Sequence, residues 1–386
     1  MNRTIKGLMA AGTSVAMLGW AMTLAGAARA ENGVTATEIT VGMCNVLTGP
    51  AAALGTGIKK GSLVYFDKVN KAGGVNGRKI RVISYDDGYE PKNTVAQTRK
   101  LVNEDKVFAL FGYVGTPTST AIMPILAESK IPFWGPFTGA EFLRNPVNKY
   151  IFNVRSSYFD EAETQVQYLV EQRGFRKIGV FTQNDAYGLA VKGGLLKALK
   201  KRNLDIAGEA TYERNTENVT AAVVALKKAG PDAISMVGTY KAMAAFIKES
   251  KAQGFNPVFL NVSFVGTAAL VKEVGAAGEG VIITQVMPSP NDASIPMVAQ
   301  YRADMKASGN ADLDYTDLEG YVDAAIFVEA LRKAGPSLTR DSFVAAAEGL
   351  SGTVEGLEVR FSPTSHQALR KTYLTAISRG QVELVK

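Results

Sequence analysis

VFALFGYVGTPTSTAIMPILAESKIPFWGPFTGAEFLR, residues 107 to 144, is the stretch whose reading decides the fold. The apolar run Val107 to Phe111 has the length of a buried strand, and Ala121, Ile122, Ile125 and Leu126 then recur at helical spacing. Between them Gly112-Tyr113-Val114-Gly115-Thr116-Pro117 makes a loop, with Pro117 suited to a first helical turn and Thr116 or Thr118 able to cap it. A second apolar run, Ile131 to Trp134, ends in Gly135-Pro136-Phe137-Thr138-Gly139. Two strands therefore deliver two polar loops to one edge of a sheet. In open α/β sheets small ligands bind at that edge, where helix N-termini present free amides. These loops bring hydroxyls, amides and rings, but no catalytic base.

Working outward toward the start, Arg3 and Lys6 precede an apolar segment from Leu8 to Leu24 and the small-x-small sequence Ala28-Arg29-Ala30. This pattern predicts a cleaved export signal over residues 1–30 and a mature chain free in an extracytoplasmic space, most simply a periplasm. Removing those residues takes away Arg3, Lys6 and Arg29 and no acid, so the formal charge falls from +7 to +4. The basic clusters Lys197 to Arg202 and Lys227-Lys228 sit at helical spacing and read as solvated faces. No basic run interleaved with aromatics is present, so nucleic acid is not an expected partner.

A mature chain of 356 residues exceeds the size at which one core keeps growing, which predicts two domains. With one cysteine and one histidine, an intramolecular disulfide is impossible and a Cys/His zinc site lacks ligands. Cys44 falls in a strand-like run and reads as a buried inert thiol; His366 follows Ser362-Pro363-Thr364-Ser365 and reads as surface loop. Gly55, Gly57 and Gly61 have the spacing G-x-G-x-x-x-G, which does not match a dinucleotide turn, so no cofactor is expected.

Strand and helix patterns alternate along the rest of the chain, as in parallel sheets covered on both faces. Strands are expected at Ile39 to Val46, Ile80 to Tyr85, Tyr150 to Arg155, Lys177 to Thr182, Ile206 to Tyr212, Asp232 to Val237 and Val258 to Asn261. Met287 to Asn291 has linker composition, the patterns from Pro296 to Ser308 and Tyr315 to Lys333 are long helices, and the tail, with Leu357 to Phe361 and Tyr373 to Ser378 alternating and Arg379-Gly380 at a turn, reads as a hairpin closing the second lobe.

Four segments, VLTGPAAALG, NKAGGVNGRKIRVISYDD, FGYVGTPTSTAIMP and TQNDAYG, occur here in an order that resembles the periplasmic solute-binding proteins of branched-chain amino acid type ABC importers. The similarity covers essentially the whole mature chain. It implies an α/β fold of two Rossmann-like lobes with parallel sheets, joined by a three-crossover hinge, that close over a small ligand. The first lobe is then expected over 31–155 and 288–350, and the second over 156–287 and 351–386. The implied role is capture of an amino acid and its delivery to a membrane permease, by a chain expected to be monomeric.

The loops that such a cleft would use carry Leu54, Gly115, Thr116, Ser119, Phe137, Thr138 and Gly139 in the first lobe. Hydroxyls and amides at helix N-termini hold a carboxylate without an arginine, which is how the family holds an α-carboxylate. In the second lobe Tyr187 ends the D-x-Y-G pattern as a lid, joined by Asp185, Thr239 and Phe264. Asp185 also suits a helix cap, and the aromatics also suit a core. Two departures from the family stand out. Ala242 occupies the place where an acid pairs with the ligand's ammonium group, and Leu54 and Phe137 stand where relatives have an aromatic residue and something small, respectively. A buried ammonium without a carboxylate is costly, so either Asp185 serves or the ligand is an amine-free carboxylate or amide. Enzyme chemistry has no support, since Gly-x-Ser-x-Gly and phosphate loops are absent.

Overall fold

The computed structural model describes residues 31–385; the expected export signal lies outside the described residues. In the first lobe the chain runs β1 (Glu38–Asn45), α1 (Ala52–Lys71), β2 (Lys79–Asp86), α2 (Pro91–Asn103), β3 (Ala109–Phe111), α3 (Thr116–Ser129), β4 (Phe133–Trp134) and β5 (Ile151–Phe152). The strands form one parallel sheet in the order β2-β1-β3-β4-β5. Seven of the eight residues of β1 are buried, as a strand covered by helices on both faces requires.

The second lobe repeats the plan with α4 (Tyr158–Gln167), β6 (Ile178–Gln183), α5 (Ala186–Lys200), β7 (Ile206–Tyr212), α6 (Thr220–Ala229), β8 (Ala233–Val237), α7 (Tyr240–Ala252), β9 (Val258–Asn261), α8 (Thr267–Val274) and β10 (Ile282–Gln285). Its parallel strands lie in the order β7-β6-β8-β9-β10, the same winding as the first sheet. In each sheet the strand order therefore reverses beside the first strand. The switch points fall between β1 and β3 and between β6 and β8, and the loops that follow those strands face a common cleft.

The chain then returns to the first lobe as α9 (Pro296–Ala307), α10 (Tyr315–Ala334) and α11 (Arg340–Glu348). Helix α10 crosses α1 almost backbone to backbone: a Cβ added to Gly61 would lie 1.8 Å from the Asp317 carbonyl oxygen, and one on Gly320 would lie 2.2 Å from that of Ile58. Only glycine permits that approach, and Ser62 Oγ donates to the Gly320 carbonyl at 3.0 Å within it. Phe327 on α10 meets Phe66, Phe111 and Trp134 edge-on and so ties the helix to the sheet.

After α11 come β11 (Ser351–Val354), β12 (Leu357–Arg360), β13 (Tyr373–Ser378) and β14 (Gln381–Leu384). The hairpin that turns at Arg379-Gly380 closes the second lobe as expected, but the place of Leu357 to Phe361 differs from the sequence expectation. Strand β12 pairs with β11 and not with β13, while β13 and β14 form an antiparallel hairpin on β10. Phe361 packs on Trp134 and Phe152, so residues 351–369 stay against the first lobe. The alternation of Leu357 to Phe361 marks a half-buried ribbon correctly but carries no information about its partner. Similarly, His366 is not on the surface. It stacks on Phe152 at 4.1 Å, with Nδ1 2.9 Å from the Ile151 carbonyl and Nε2 3.1 Å from Glu348. The ring is drawn in because residues 366–369 run alongside Asn153 and Val154 as an added edge. The chain thus crosses between lobes three times, near Arg155, near Pro288 and near Arg370.

Candidate functional site

The loop ahead of α3 is shaped by Gly115, whose φ of 109° a side chain resists; a Cβ there would lie 2.4 Å from the Tyr89 ring. Neither threonine caps the helix in the expected way. Thr118 donates to the Val114 and Gly115 carbonyls, whereas Thr116 Oγ1 turns across to Thr138 Oγ1 at 2.7 Å. Ser119, one position further along, is buried with its hydroxyl unpartnered. Gly139 is needed for closeness, since a Cβ would lie 2.5 Å from both the Tyr158 ring and its backbone nitrogen. That approach sets the Tyr158 hydroxyl beside Thr116 and Thr138. Tyr158 begins α4 just after a capping box in which Ser157 accepts from the Asp160 amide and Asp160 accepts from the Ser157 amide.

From the second lobe, Tyr187 at the start of α5 lies 5.5 Å from Tyr158 and 4.6 Å from Phe264, ring to ring. Phe264 also meets Phe137 at 5.1 Å and Tyr89 at 6.2 Å, so rings of both lobes gather around it. Leu54 is fully buried against Gly266, where an added Cβ would lie 2.6 Å away, and the Ala53 amide donates to the Tyr240 hydroxyl at 3.4 Å. Thr239 stands further back. Its amide donates to the Tyr212 hydroxyl, Tyr212 donates to Gln183, and the Gln183 amide reaches the Tyr89 hydroxyl at 3.3 Å across the cleft. Nine of the expected residues thus line the contact between lobes, while Thr239 supports it from behind.

Asp185, the remaining one, is engaged elsewhere. It accepts from the Tyr187 amide as a helix cap, from Gln183, and from Arg214 at 3.0 Å. Arg214 also reaches Glu90 of the first lobe at 3.0 Å, and Asn215 donates to Glu90 and to the Gly88 carbonyl, which closes the rim.

At the hinge, Arg155 is fully buried between Glu161 of α4 at 3.6 Å and Glu319 of α10 at 3.5 Å, with its guanidinium 4.7 Å from the centre of the Phe137 ring. Desolvation works against its charge, but Glu319 and Glu161 outweigh that and hold it above its ordinary value. Burial pushes Glu319 up to about 7, and pushes Asp323, one turn along, well above the usual carboxylate range. Burial likewise raises the Tyr187 phenol and takes Tyr158 to about 12, so both remain O–H donors at neutral pH. The Tyr187 hydroxyl and Nη1 of Arg155 are buried and unpartnered, whereas the Tyr158 hydroxyl has the oxygens of Thr116 and Thr138 beside it without a well-formed hydrogen bond to either. A dry cleft with unspent donors is suited to an anionic oxygen. Two larger cavities, of about 580 and 680 Å³, lie elsewhere, one beside Pro288 with Arg360, Arg370 and Lys371 in its lining and one beside Arg332 and Lys333.

Sequence reasoning missed Tyr89, Tyr158, Arg155, Gln183 and Arg214. The capping box Ser157-x-x-Asp160 was legible and would have placed Tyr158 at a helix start. Arg155 sat in a run read as a strand, and nothing local marks it as buried. Cys44 is buried as expected, beside Asp87, and burial raises its thiol far above the usual range.

Two lobes of like winding with a donor-lined cleft at their switch points define the architecture of a small-molecule binding protein. The chain belongs to the periplasmic binding protein family, whose model matches residues 38–381. A leucine-, isoleucine-, valine-, threonine- and alanine-binding protein of Pseudomonas aeruginosa is 26% identical over 68% of this chain and 70% of its own. The crystal structure of a possible leucine/isoleucine/valine-binding protein from Rhodopirellula baltica superposes with a TM-score of 0.87 at 35% identity, covering 91% of this chain and 97% of that one. A fatty acid ABC transporter substrate-binding protein from Thermomonospora curvata superposes with a TM-score of 0.83 at 26% identity, over 92% and 93% of the two chains.

Proposed function

We propose that the protein captures a small carboxylate-bearing solute between its lobes in the periplasm and hands it to the membrane permease of an ABC importer. The observation that carries this reading is the convergence of Thr116, Thr138, Tyr158 and Tyr187, hydroxyl-bearing residues of both lobes that are all fully buried. Ligand contacts made by both lobes exist only when the lobes are together, so binding shifts the population toward the closed form. The lid tyrosine and the threonine pair come from different lobes, and this supports closure as the binding step. No bond in the solute is broken; the chain supplies position and charge complementarity. The relatives named for leucine, isoleucine and valine favour an amino acid as the solute, and the Thermomonospora curvata neighbour favours a second reading, a carboxylate without an amine.

Calorimetric titration of the refolded mature protein with a panel of amino acids and simple carboxylates tests the proposal. A saturable one-to-one heat with at least one carboxylate, and recovery of that compound unchanged, is expected. Binding only of neutral sugars or nucleosides would overturn it.

A further inference from the structure

The second and third crossovers enclose a cavity of about 580 Å³, a volume usual for a small-ligand pocket. Both lobes wall it. Val286 follows β10 and Tyr373 opens β13, next to each other where Gln285 pairs with Tyr373, so one wall belongs to the second lobe. Ile295 precedes α9, and Leu357 and Arg360 lie on β12. The Met297 amide donates to the Glu355 carbonyl at 2.7 Å and holds the β11–β12 turn against the start of α9, so this wall belongs to the first lobe. Val286 also borders the small space between the lobes beside Phe137 and Glu319. The crossover therefore separates the cavity from the cleft, and the two lie on opposite sides of the hinge.

The cavity is also positively charged. Arg360, Arg370 and Lys371 line it against one acid, Glu358, which lies 3.6 Å from Arg360 as an exposed and screened pair. Arg370 donates to the Ser365 hydroxyl at 2.7 Å, and the Lys371 ammonium sits 4.8 Å from the centre of the Tyr373 ring. Among the described residues neither has a carboxylate partner. Asp292 of the neighbouring linker is held by the Ser294 amide at 3.1 Å. Two cations thus stand without a countercharge beside the apolar walls of Val286, Ile295 and Leu357. Guanidinium and ammonium groups bind carboxylate and phosphate oxygens, and apolar walls accept a short carbon body. We propose that this cavity binds a small organic dianion, a dicarboxylate or a phosphate monoester, and that its occupant holds the lobes closed. Lobes that part at the cleft turn toward each other behind the hinge, so opening narrows a cavity whose present width belongs to the closed form. An occupant that fits the closed form better shifts the population toward it, and solute and dianion then tighten each other by the same factor.

Calorimetric titration of the mature protein at fixed ionic strength, with succinate, phenyl phosphate and, as a bare dianion, sulfate, tests the site. One-to-one binding of at least one organic dianion is expected, tighter than sulfate by about fivefold or more because its carbon body is buried. Succinate against phenyl phosphate separates the carboxylate form of the ligand from the phosphate form. In the double variant Arg370→Gln, Lys371→Gln, with both changes on the surface and outside the cleft, that binding should weaken about fivefold. In Tyr187→Phe it should persist, which distinguishes this cavity from the cleft. Small-angle scattering of the solute-free protein should show a smaller radius of gyration at saturating probe. Equal binding of all three anions by parent and double variant would reduce the effect to charge screening and overturn the site. Loss of probe binding in Tyr187→Phe with retention in the double variant would place the probe in the cleft and overturn it too. Binding without compaction would overturn the coupling. Silence of all three probes would remove the second site and leave the reading of the cleft standing.

Discussion

Arg214 of the second lobe holds Glu90 of the first at 3.0 Å while its other nitrogen holds Asp185 at 3.0 Å. One guanidinium thus joins the two lobes at the rim and occupies the acid nearest the lid tyrosine. The pair is partly exposed, so its strength is that of a screened surface bridge, about 0.5–1 kcal/mol.

Replacing Arg214 with alanine removes an interaction made only in the closed form. The apparent affinity of the ligand should fall about twofold to fivefold, since 1.4 kcal/mol corresponds to tenfold, and the salt dependence of binding should flatten. Titrations at low and high ionic strength check this. An unchanged affinity with an unchanged salt dependence would mean that the rim contact does not contribute to closure.

The buried acids of α10 give a dependence on pH. Burial raises Asp323, with Glu319 adding to the shift and Arg155 opposing it, and neither carboxyl oxygen of Asp323 has a hydrogen-bond partner. A carboxyl whose folded value is raised contributes stability that is complete below its unfolded value and is lost as pH rises through the folded one. For Glu319 that window runs from 4.5 to about 7. Asp323→Asn keeps the shape and removes the ionisation, so at pH 8 it should be more stable than the parent by about 1–3 kcal/mol. At pH 4 the two should nearly coincide. Parallel urea midpoints across that range would show that Asp323 does not titrate with folding.

Two glycines in helices are expected to respond with opposite signs. Alanine gains about 1 kcal/mol over glycine in a helix interior from propensity. At Gly193 on α5 an added Cβ meets the Phe159 ring at 3.8 Å, ordinary contact, so Gly193→Ala should stabilise by up to that amount. At Gly61 the Cβ would lie 1.8 Å from a backbone oxygen of α10. There the clash wins, and Gly61→Ala should cost about 3 kcal/mol or more. Denaturant midpoints decide; a stable Gly61→Ala would mean that α1 and α10 separate easily.

The alternation of strands and helices, and the two loops of residues 107 to 144, were legible because apolar period and turn chemistry are local. The same is true of Thr116, Phe137, Thr138 and Tyr187, which sit at strand ends. What was not legible depends on distant pairing. Thr116 reads as a cap, yet its hydroxyl is taken by Thr138, which is 22 residues away in the chain. His366 reads as a turn residue until the third crossover is laid along Asn153. Arg155 becomes a hinge residue only when Glu161 and Glu319 arrive from different lobes. Asp185 carries both of its readings in the sequence, and only the arrival of Arg214 shows which charge it faces.

Tyr187 offers the most direct test of the cleft, because stability and binding should move in opposite directions. Its hydroxyl is fully buried with no partner, and burial among Tyr158 and Tyr89 keeps it protonated. An unsatisfied buried hydroxyl costs roughly 1–3 kcal/mol. Tyr187→Phe removes that hydroxyl and leaves the ring against Phe264, so the ligand-free protein should melt at a higher temperature than its parent. If the hydroxyl is kept to donate to a bound carboxylate, the same change removes a hydrogen bond to a charged group, worth about 1.5–3 kcal/mol, or roughly tenfold to a hundredfold in affinity. A tyrosine with no part in binding would give the gain in stability without the loss of affinity. Thr116→Val supplies the comparison from the other lobe: its hydroxyl is already paired with Thr138, so it should lower both affinity and ligand-free stability. A Tyr187→Phe protein that binds as tightly as its parent would remove the lid tyrosine from the site and leave the threonine pair to hold the anion alone.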